Sequence, residues 1–411
     1  MHASNHARPL FAALSVSCIA ASAVAGGTYY NLGTGQTASG AANNGTVVGY
    51  GVSGAPYWFW TASGGLTPIG GISPGGGVGG EGSISDDGTI IAFTANNPAS
   101  GFAEISRYEI DTATTTHLGG IGAPCSTEIS SAWGLSGDGN HAVGLGWLTC
   151  SPAHATQWSD GVGTFDLGST VAGRSSRANA VDFDGNVVVG WQDASTGFRQ
   201  GAIWVDGVQS IIKLGTTATV LGEASDISSN GVWATGSGVS ANGFQAWRWS
   251  QATGGINIGP APTAGWRGSS VATNADGSRI LLFYRPFPGP ATFGQGFIWT
   301  PEDGMVNLNT WLTNKGVVIP AGVVLALPLD ISADGNTIVG VARSGNSSFA
   351  FAVILDEPCP SDLDGNGAVD AADLGILLGS WGSRGDADLD GSGSVDAGDL
   401  AVMLGAWGGC P

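Results

Sequence analysis

Between residues 27 and 355, apolar and polar positions alternate in short runs of strand length, and glycine-bearing turns separate the runs. An Asn-Gly or Asp-Gly dipeptide recurs at Asn44, Asp87, Asp138, Asp184, Asn230, Asp276 and Asp334, and three successive intervals measure 46 residues. Each dipeptide precedes an apolar strand such as Thr46-Val47-Val48-Gly49, Val187-Val188-Val189-Gly190 or Thr337-Ile338-Val339-Gly340. The dipeptide predicts a two-residue hairpin with positive φ at both central residues. An aromatic strand follows, ending near Trp60, Tyr108, Trp158, Trp204, Trp249, Trp299 or Phe351. The unit then closes with Ile69-Gly70, Leu118-Gly119, Leu167-Gly168, Leu214-Gly215, Ile258-Gly259 or Leu308-Asn309.

Six closing strands follow seven aromatic ones, and Tyr29-Tyr30-Asn31-Leu32-Gly33 is a closing strand with no unit before it. The first strand can therefore complete the last unit, a phase shift that suits a ring and has no use in an open solenoid. The expected fold class is all-β: a seven-bladed β-propeller over residues 26–355, its N-terminal strand closing the last blade. The innermost strands are expected through Ala41, Ile84, Leu135, Val181, Ile227, Ala272 and Ile331, where Gly, Ala and Ser suit crowding near the axis.

Residues 356–411 have a different pattern. Two twelve-residue segments, Asp362–Asp373 and Asp388–Asp399, start 26 residues apart. Oxygen-bearing side chains fall at positions 1, 3, 5, 9 and 12 of each: Asp362, Asp364, Asn366, Asp370 and Asp373, then Asp388, Asp390, Ser392, Asp396 and Asp399. Position 7, Ala368 or Ser394, would offer its backbone carbonyl, and glycine at position 6 allows the sharp turn. A hard cation wants this donor set, so two Ca2+ ions are expected. Leu374, Leu377, Leu378, Trp381 and Leu400, Met403, Leu404, Trp407 follow at i, i+3, i+4, i+7 spacing, predicting one apolar helical face after each loop.

This duplicated loop-helix pattern resembles a type I dockerin over residues 359–411. The resemblance implies a small α-helical calcium module that docks to a cohesin-like protein module. Dockerins that grip a cohesin usually carry hydroxyl residues at loop positions 10 and 11, where this chain has Ala371, Ala372, Ala397 and Gly398. Calcium binding does not use those positions. The repeat units also resemble bacterial extracellular repeats named for a His-Ala-Phe tripeptide: His154-Ala155-Thr156-Gln157-Trp158 keeps the His-Ala and Trp, while Gly201-Ala202-Ile203-Trp204 and Gly296-Phe297-Ile298-Trp299 keep the apolar-Trp core. That resemblance implies a secreted propeller and no activity.

Residues 1–25 read as a signal peptide: His2, His6 and Arg8, an apolar run from Leu10 to Ala21, then Ala23-Val24-Ala25 before Gly26. Cys18 would suit a lipid anchor, but Ser15 stands where such signals carry Leu. The expected location is extracellular or at the cell surface. Later in the chain, Val317–Leu329 is broken by Pro320 and Gly322, so no membrane span is expected. Cys125 and Cys150 flank the Asp138-Gly139 turn almost symmetrically, and Cys359 and Cys410 bracket the calcium loops; each pair is expected as a disulfide. With nine Asp and one Arg between Cys359 and Cys410, the metal-free module repels itself, so calcium binding should act as folding free energy. A net charge of −19 with 11% charged residues disfavours nucleic acid and anionic membrane as partners.

No residue is assigned as catalytic and no organic cofactor is expected. Gly77-Val78-Gly79-Gly80-Glu81-Gly82 fits a dinucleotide pattern by letter but lacks a following helix. His117, His141 and His154 are out of phase with one another, and the recurring tryptophans, which could stack a glycan, fit blade packing better. Asp226 and Asp330, beside Ile227 and Ile331 on inner strands, are the best axial carboxylates, with polar pairing or a turn hydrogen bond as the plainer role. Two functions remain. The first is a non-catalytic binding or structural propeller docked by its calcium tail; the second is a polysaccharide-degrading enzyme recruited the same way, which needs paired carboxylates. A channel lined by Ala, Ser and Ile favours the first, and facing carboxylates favour the second.

Overall fold

A computed structural model describes residues 26–51, 56–75, 79–240, 243–356, 359–364, 366 and 368–409. The expected signal peptide, Gly365, Gly367 and Cys410 lie outside the described residues. The chain divides into two compact units, Gly26–Glu357 and one containing Pro358–Pro411.

Gly26–Glu357 forms seven four-stranded antiparallel sheets, the blades of a β-propeller. Gln36–Ala41, Val47–Gly51, Tyr57–Thr61 and Gly65–Gly70 make the first, and the next five follow in chain order. The seventh combines Val323–Ile331, Thr337–Ser344 and Ser347–Leu355 with the N-terminal strand Gly27–Thr34, which pairs antiparallel with Ser347–Leu355. The ring is thus closed by its own first strand, as the phase of the repeats predicted. Leu32 enters a core made by Val339, Ala350 and Ala352 of the last blade and Ala38, Ala41, Val47, Trp58 and Trp60 of the first. The Tyr30 ring lies 4.8 Å from that of Trp60 across the same seam. Each large side chain so buried contributes about 1.5–3 kcal/mol.

The hairpin turns differ from the two-residue form. Only the glycine is left-handed, with φ of 69° to 81° over the seven turns, and the Asn or Asp before it is not. The loops are longer: Ser85 N–H bonds the Ile90 carbonyl around four intervening residues, and Gly88 N–H bonds the Ser85 carbonyl. The acidic or amide side chain instead accepts the backbone N–H two residues on, as Asp87 does from Thr89 and Asp334 from Asn336. Ser85, Ser136, Ser228 and Ser332, two residues earlier, each donate to that same side chain. Neighbouring turns are also bonded to each other: Asn43 N–H to the Asp86 carbonyl, Asp86 N–H to that of Gly137, and Asp334 N–H to the Asn43 side chain across the seam.

The closer Leu308-Asn309 starts a helix rather than a strand. Asn307 caps Leu308–Asn314 by accepting Thr310 N–H, and Leu308, Trp311 and Leu312 bury at helical spacing. Leu214-Gly215 lies just outside the outer strand Val208–Ile211. Cys125 and Cys150 are joined, with Cα atoms 4.5 Å apart. Cys359 is also disulfide-bonded.

Six inner strands carry a β-bulge at the same place, between Ala38/Gly40, Ala132/Gly134, Ala178/Ala180, Ala224/Asp226, Ser270/Ala272 and Pro328/Asp330. A bulge leaves one residue out of the ladder and re-aims its side chain. In five blades the facing residue on the second strand is glycine, including Gly49, Gly144 and Gly190. There the bulged strand comes so close that a Cβ on Gly190 would press into the Arg177 carbonyl oxygen, a backbone atom that no rotamer change can move. Gly190→Ala is expected to destabilise the propeller by about 1–3 kcal/mol, read from denaturant midpoints. An unchanged midpoint would show that the bulge yields freely.

Candidate functional site

The bulges define an axial cavity. Their six displaced residues, Ser39, Trp133, Asn179, Ser225, Val271 and Leu329, all line one space of about 220 Å³. Glu81, Arg177, Glu223, Asp226 and Asp330 line it too, so the wall is acidic and is not the Ala, Ser and Ile lining that would favour a non-catalytic module.

Arg177 is fixed on three sides. Its Nε donates to Asn179 at 2.7 Å, one Nη donates to Glu223 at 2.6 Å, and its guanidinium lies 3.4 Å from the Trp133 ring centroid. Arg199 holds the other Glu223 oxygen at 2.7 Å. Glu81 accepts no hydrogen bond among the described residues. Burial raises its carboxyl above the usual range, Arg177 opposes that, and Glu223 adds to it.

Both aspartates singled out from the sequence reach this cavity, and each also joins two blades. Asp226 Oδ2 accepts Thr273 N–H at 2.8 Å, and Asp330 Oδ2 accepts Ala41 N–H at 2.8 Å across the closing seam. The plainer role foreseen for them is therefore present. Burial pushes the Asp226 carboxyl up to about 7 against the pull of the Thr273 and Ile227 amides. Burial, followed by the charge of Asp226, raises Asp330 well above its ordinary value. Two like charges facing one cavity discourage each other's ionisation.

Sequence reasoning missed Arg177 and Glu223 and treated Glu81 only as part of a glycine-rich motif. A signal existed: Arg177 and Glu223 are 46 residues apart, one repeat period, and so occupy matching places in adjacent blades. The histidines take local partners, Ser106 for His117, Ser159 for His141 and Asp166 for His154. Trp58, Trp60, Trp204 and Trp247 are buried, in keeping with blade packing.

The C-terminal unit holds the second candidate. Each loop runs into a nine-residue helix, Ala371–Gly379 or Ala397–Gly405. Position 9 is the N-cap and position 12 is N3, forming an Asp-x-x-Asp capping box in both copies. Asp370 and Asp396 thus cap helices, while positions 1, 3 and 12 converge. Carboxylate oxygens of Asp362, Asp364 and Asp373 lie within 4.8 Å of one another, as do those of Asp388, Asp390 and Asp399. Asp373 accepts the amides of Leu363, Asp364 and Asp370, which outweigh its burial and hold it below the usual carboxylate range. Asp390 and Asp396 amides do the same for Asp399. At position 5, Asn366 Oδ1 accepts Ala368 N–H and Ser392 Oγ donates to the Ser394 carbonyl. Gly393, at position 6, has a φ of 99°.

The residues fit a divalent cation. Asp388 Oδ1 is buried without a hydrogen-bond donor, and position 12 stays ionised through amide donors rather than a paired cation. The helical faces depart from expectation. Leu377 and Met403 bury with Val369, Ala387 and Val395, whereas Leu378, Trp381, Leu404 and Trp407 remain 48–54% exposed. The reason is that position 8 of each loop, Val369 or Val395, takes the core place next to the helix. Val369 pairs with Gly408 and Val395 bonds Gly382 and Ser383, so each loop is tied to the chain that follows the other helix.

No protein-family model matches the sequence, and no curated protein does. Among solved structures, the β-propeller domain of the Trilobed protease from Pyrococcus furiosus gives a TM-score of 0.50 at 11% identity, over 78% of this chain and 95% of that one. An oligogalacturonate lyase in complex with manganese gives 0.49 at 9%, over 80% and 93%. TolB from Acinetobacter baumannii gives 0.44 at 14%, over 75% and 78%. At such identities the likeness concerns the propeller fold alone. The Pyrococcus propeller is described as having an open Velcro topology, whereas here Gly27–Thr34 closes the ring.

The raised Asp226 carboxyl carries a pH signature. Below the ordinary carboxylate range it is neutral in folded and unfolded chains alike; as pH rises toward 7 the unfolded chain loses that proton first, so the stability it lends fades through pH 7. Asp226→Asn keeps an acceptor for Thr273 N–H and removes this loss. Its stability relative to the parent is expected to improve from about pH 5 to about pH 8, measured by denaturant unfolding. A difference independent of pH would contradict the assignment.

Proposed function

We propose that this chain is an extracellular, non-catalytic propeller that serves as a binding or structural module and is docked to a protein partner by a calcium-dependent, dockerin-like tail. The observation that carries the reading is the duplicated acidic triad, Asp362/Asp364/Asp373 and Asp388/Asp390/Asp399, each set on the same loop-and-capping-box geometry. Bound calcium would neutralise the carboxylates that repel one another in each loop and fix the helix that follows. Asn366 and Ser392 at position 5 and the carbonyls of Ala368 and Ser394 at position 7 would complete the oxygen set.

The partner surface proposed is the pair of half-exposed apolar patches, Leu378 with Trp381 and Leu404 with Trp407, which repeat with the loops. A cohesin-like module is the kind of partner this reading implies. The disulfide Cys125–Cys150 supports an oxidising location, and no described helix is long and apolar enough to cross a membrane.

The second reading, a polysaccharide-degrading enzyme, draws support from the acidic axial cavity. Against it, Asp226 and Asp330 each hold a backbone amide of the next blade, a structural duty. A hydrolysis screen on polysaccharides, with turnover abolished by Asp226→Asn or Asp330→Asn, would overturn the non-catalytic reading.

Calorimetric titration of the full chain is expected to show two calcium sites, with uptake lost in the Asp364→Asn/Asp390→Asn variant. At a hundredfold excess over Kd, each occupied site stabilises the tail by roughly 3 kcal/mol. No uptake at millimolar calcium would end the docking proposal.

A further inference from the structure

The carboxylates around the propeller axis do not behave as a metal site. Among the described residues, three acidic side chains converge within 4.8 Å only in the two C-terminal loops, so Glu81, Asp226 and Asp330 stand further apart. A bare ion would reach too few oxygens there. Yet the cavity is strongly acidic: Glu81, Glu223, Asp226 and Asp330 line it against the single cation Arg177. That cation is already committed to Glu223, Asn179 and the Trp133 face.

The acceptors left over point inward. Glu81 lines the cavity and its carboxylate has no hydrogen-bond donor among the described residues. Asp226 and Asp330 spend one oxygen each on the next blade's backbone. Hydroxyls of Ser39, Ser83 and Ser225 and the apolar walls of Val271 and Leu329 complete the lining. The space, about 220 Å³, exceeds the ~150 Å³ that suffices for a benzene-sized guest. A carboxylate that faces the cavity without a protein donor is served there by water alone, and a ligand with several N–H donors on a positive centre can replace that water at more than one acid simultaneously.

We propose that the axial cavity is a binding site for a small organic cation bearing a primary ammonium group, held between Glu81 and the Asp226/Asp330 pair. The site is independent of the calcium loops. Arg177, pinned by Glu223 and Trp133, is a positioning residue that keeps the ligand on the acidic side of the cavity.

The test uses the full chain in millimolar calcium, so that the C-terminal loops are filled, with putrescine and glucosamine as probes and glucose as the uncharged counterpart of the second. Calorimetry or saturation-transfer NMR is expected to detect both amines and not glucose. Glu81→Gln removes the carboxylate from a side chain that accepts no hydrogen bond among the described residues, and because burial raises that carboxyl the variant should melt at or above the parent's temperature. It should weaken amine binding about tenfold to a hundredfold. Asp226→Asn, which preserves the acceptor for Thr273, should weaken it similarly. Three results would overturn the proposal: neither amine binds, glucose binds as well as glucosamine, or Glu81→Gln folds normally and binds the amines unchanged.

Discussion

The pairing of Gly27–Thr34 with Ser347–Leu355 is the constraint on which the propeller depends. Blades packed in a ring leave an unpaired edge wherever the ring is cut, and exposed edges recruit other chains. Here one strand from the start of the domain saturates the backbone of the last blade and brings Leu32 and Tyr30 into the core of the first. Asp330 adds a hydrogen bond from the last blade to Ala41, and the Asp334 amide reaches Asn43. The seam is thus held by ladder hydrogen bonds, apolar burial and two side-chain links.

Closure also makes the axis usable. Once the inner strands face one another, each bulge delivers a side chain to a shared space, and the opposing glycine makes room for the strand that bends. The same geometry gathers acidic groups: carboxylates spaced through the sequence meet around one cavity, and burial holds their protons more tightly. The C-terminal loops solve the same electrostatic problem differently. Their position-12 aspartates are surrounded by backbone amides and stay ionised, which suits a hard cation.

Much of this was legible in the sequence because repetition amplifies weak local signals. The Asn/Asp-Gly dipeptides marked all seven blades, and the orphan closing strand at Tyr29–Gly33 gave the mode of closure. The turn geometry was misjudged because dipeptide statistics describe two-residue hairpins, whereas here a Ser or its equivalent, two residues ahead, stabilises a longer loop. The helix at Leu308–Asn314 was hidden by its place in the repeat phase. Arg177 and Glu223 escaped notice because a single charge on a strand has no local signature; only superposing the blades places them beside Asp226 and Asp330. In the tail, the spacing of the oxygen-bearing residues was plain, but helical periodicity alone could not tell which half of each apolar face the loop valines would displace from the core.

Joining the first strand to the last blade sets the order in which the molecule can be completed. A nascent chain that has emerged only as far as residue 340 owns six finished blades and a dangling N-terminal ribbon whose partner, Ser347–Leu355, does not yet exist. During that interval the ribbon and the incomplete seventh sheet are free to pair with a neighbouring copy, an exchange that would link two rings through swapped ribbons. The ribbon must therefore stay unpaired until Ser347–Leu355 has been made if a single closed ring is to form.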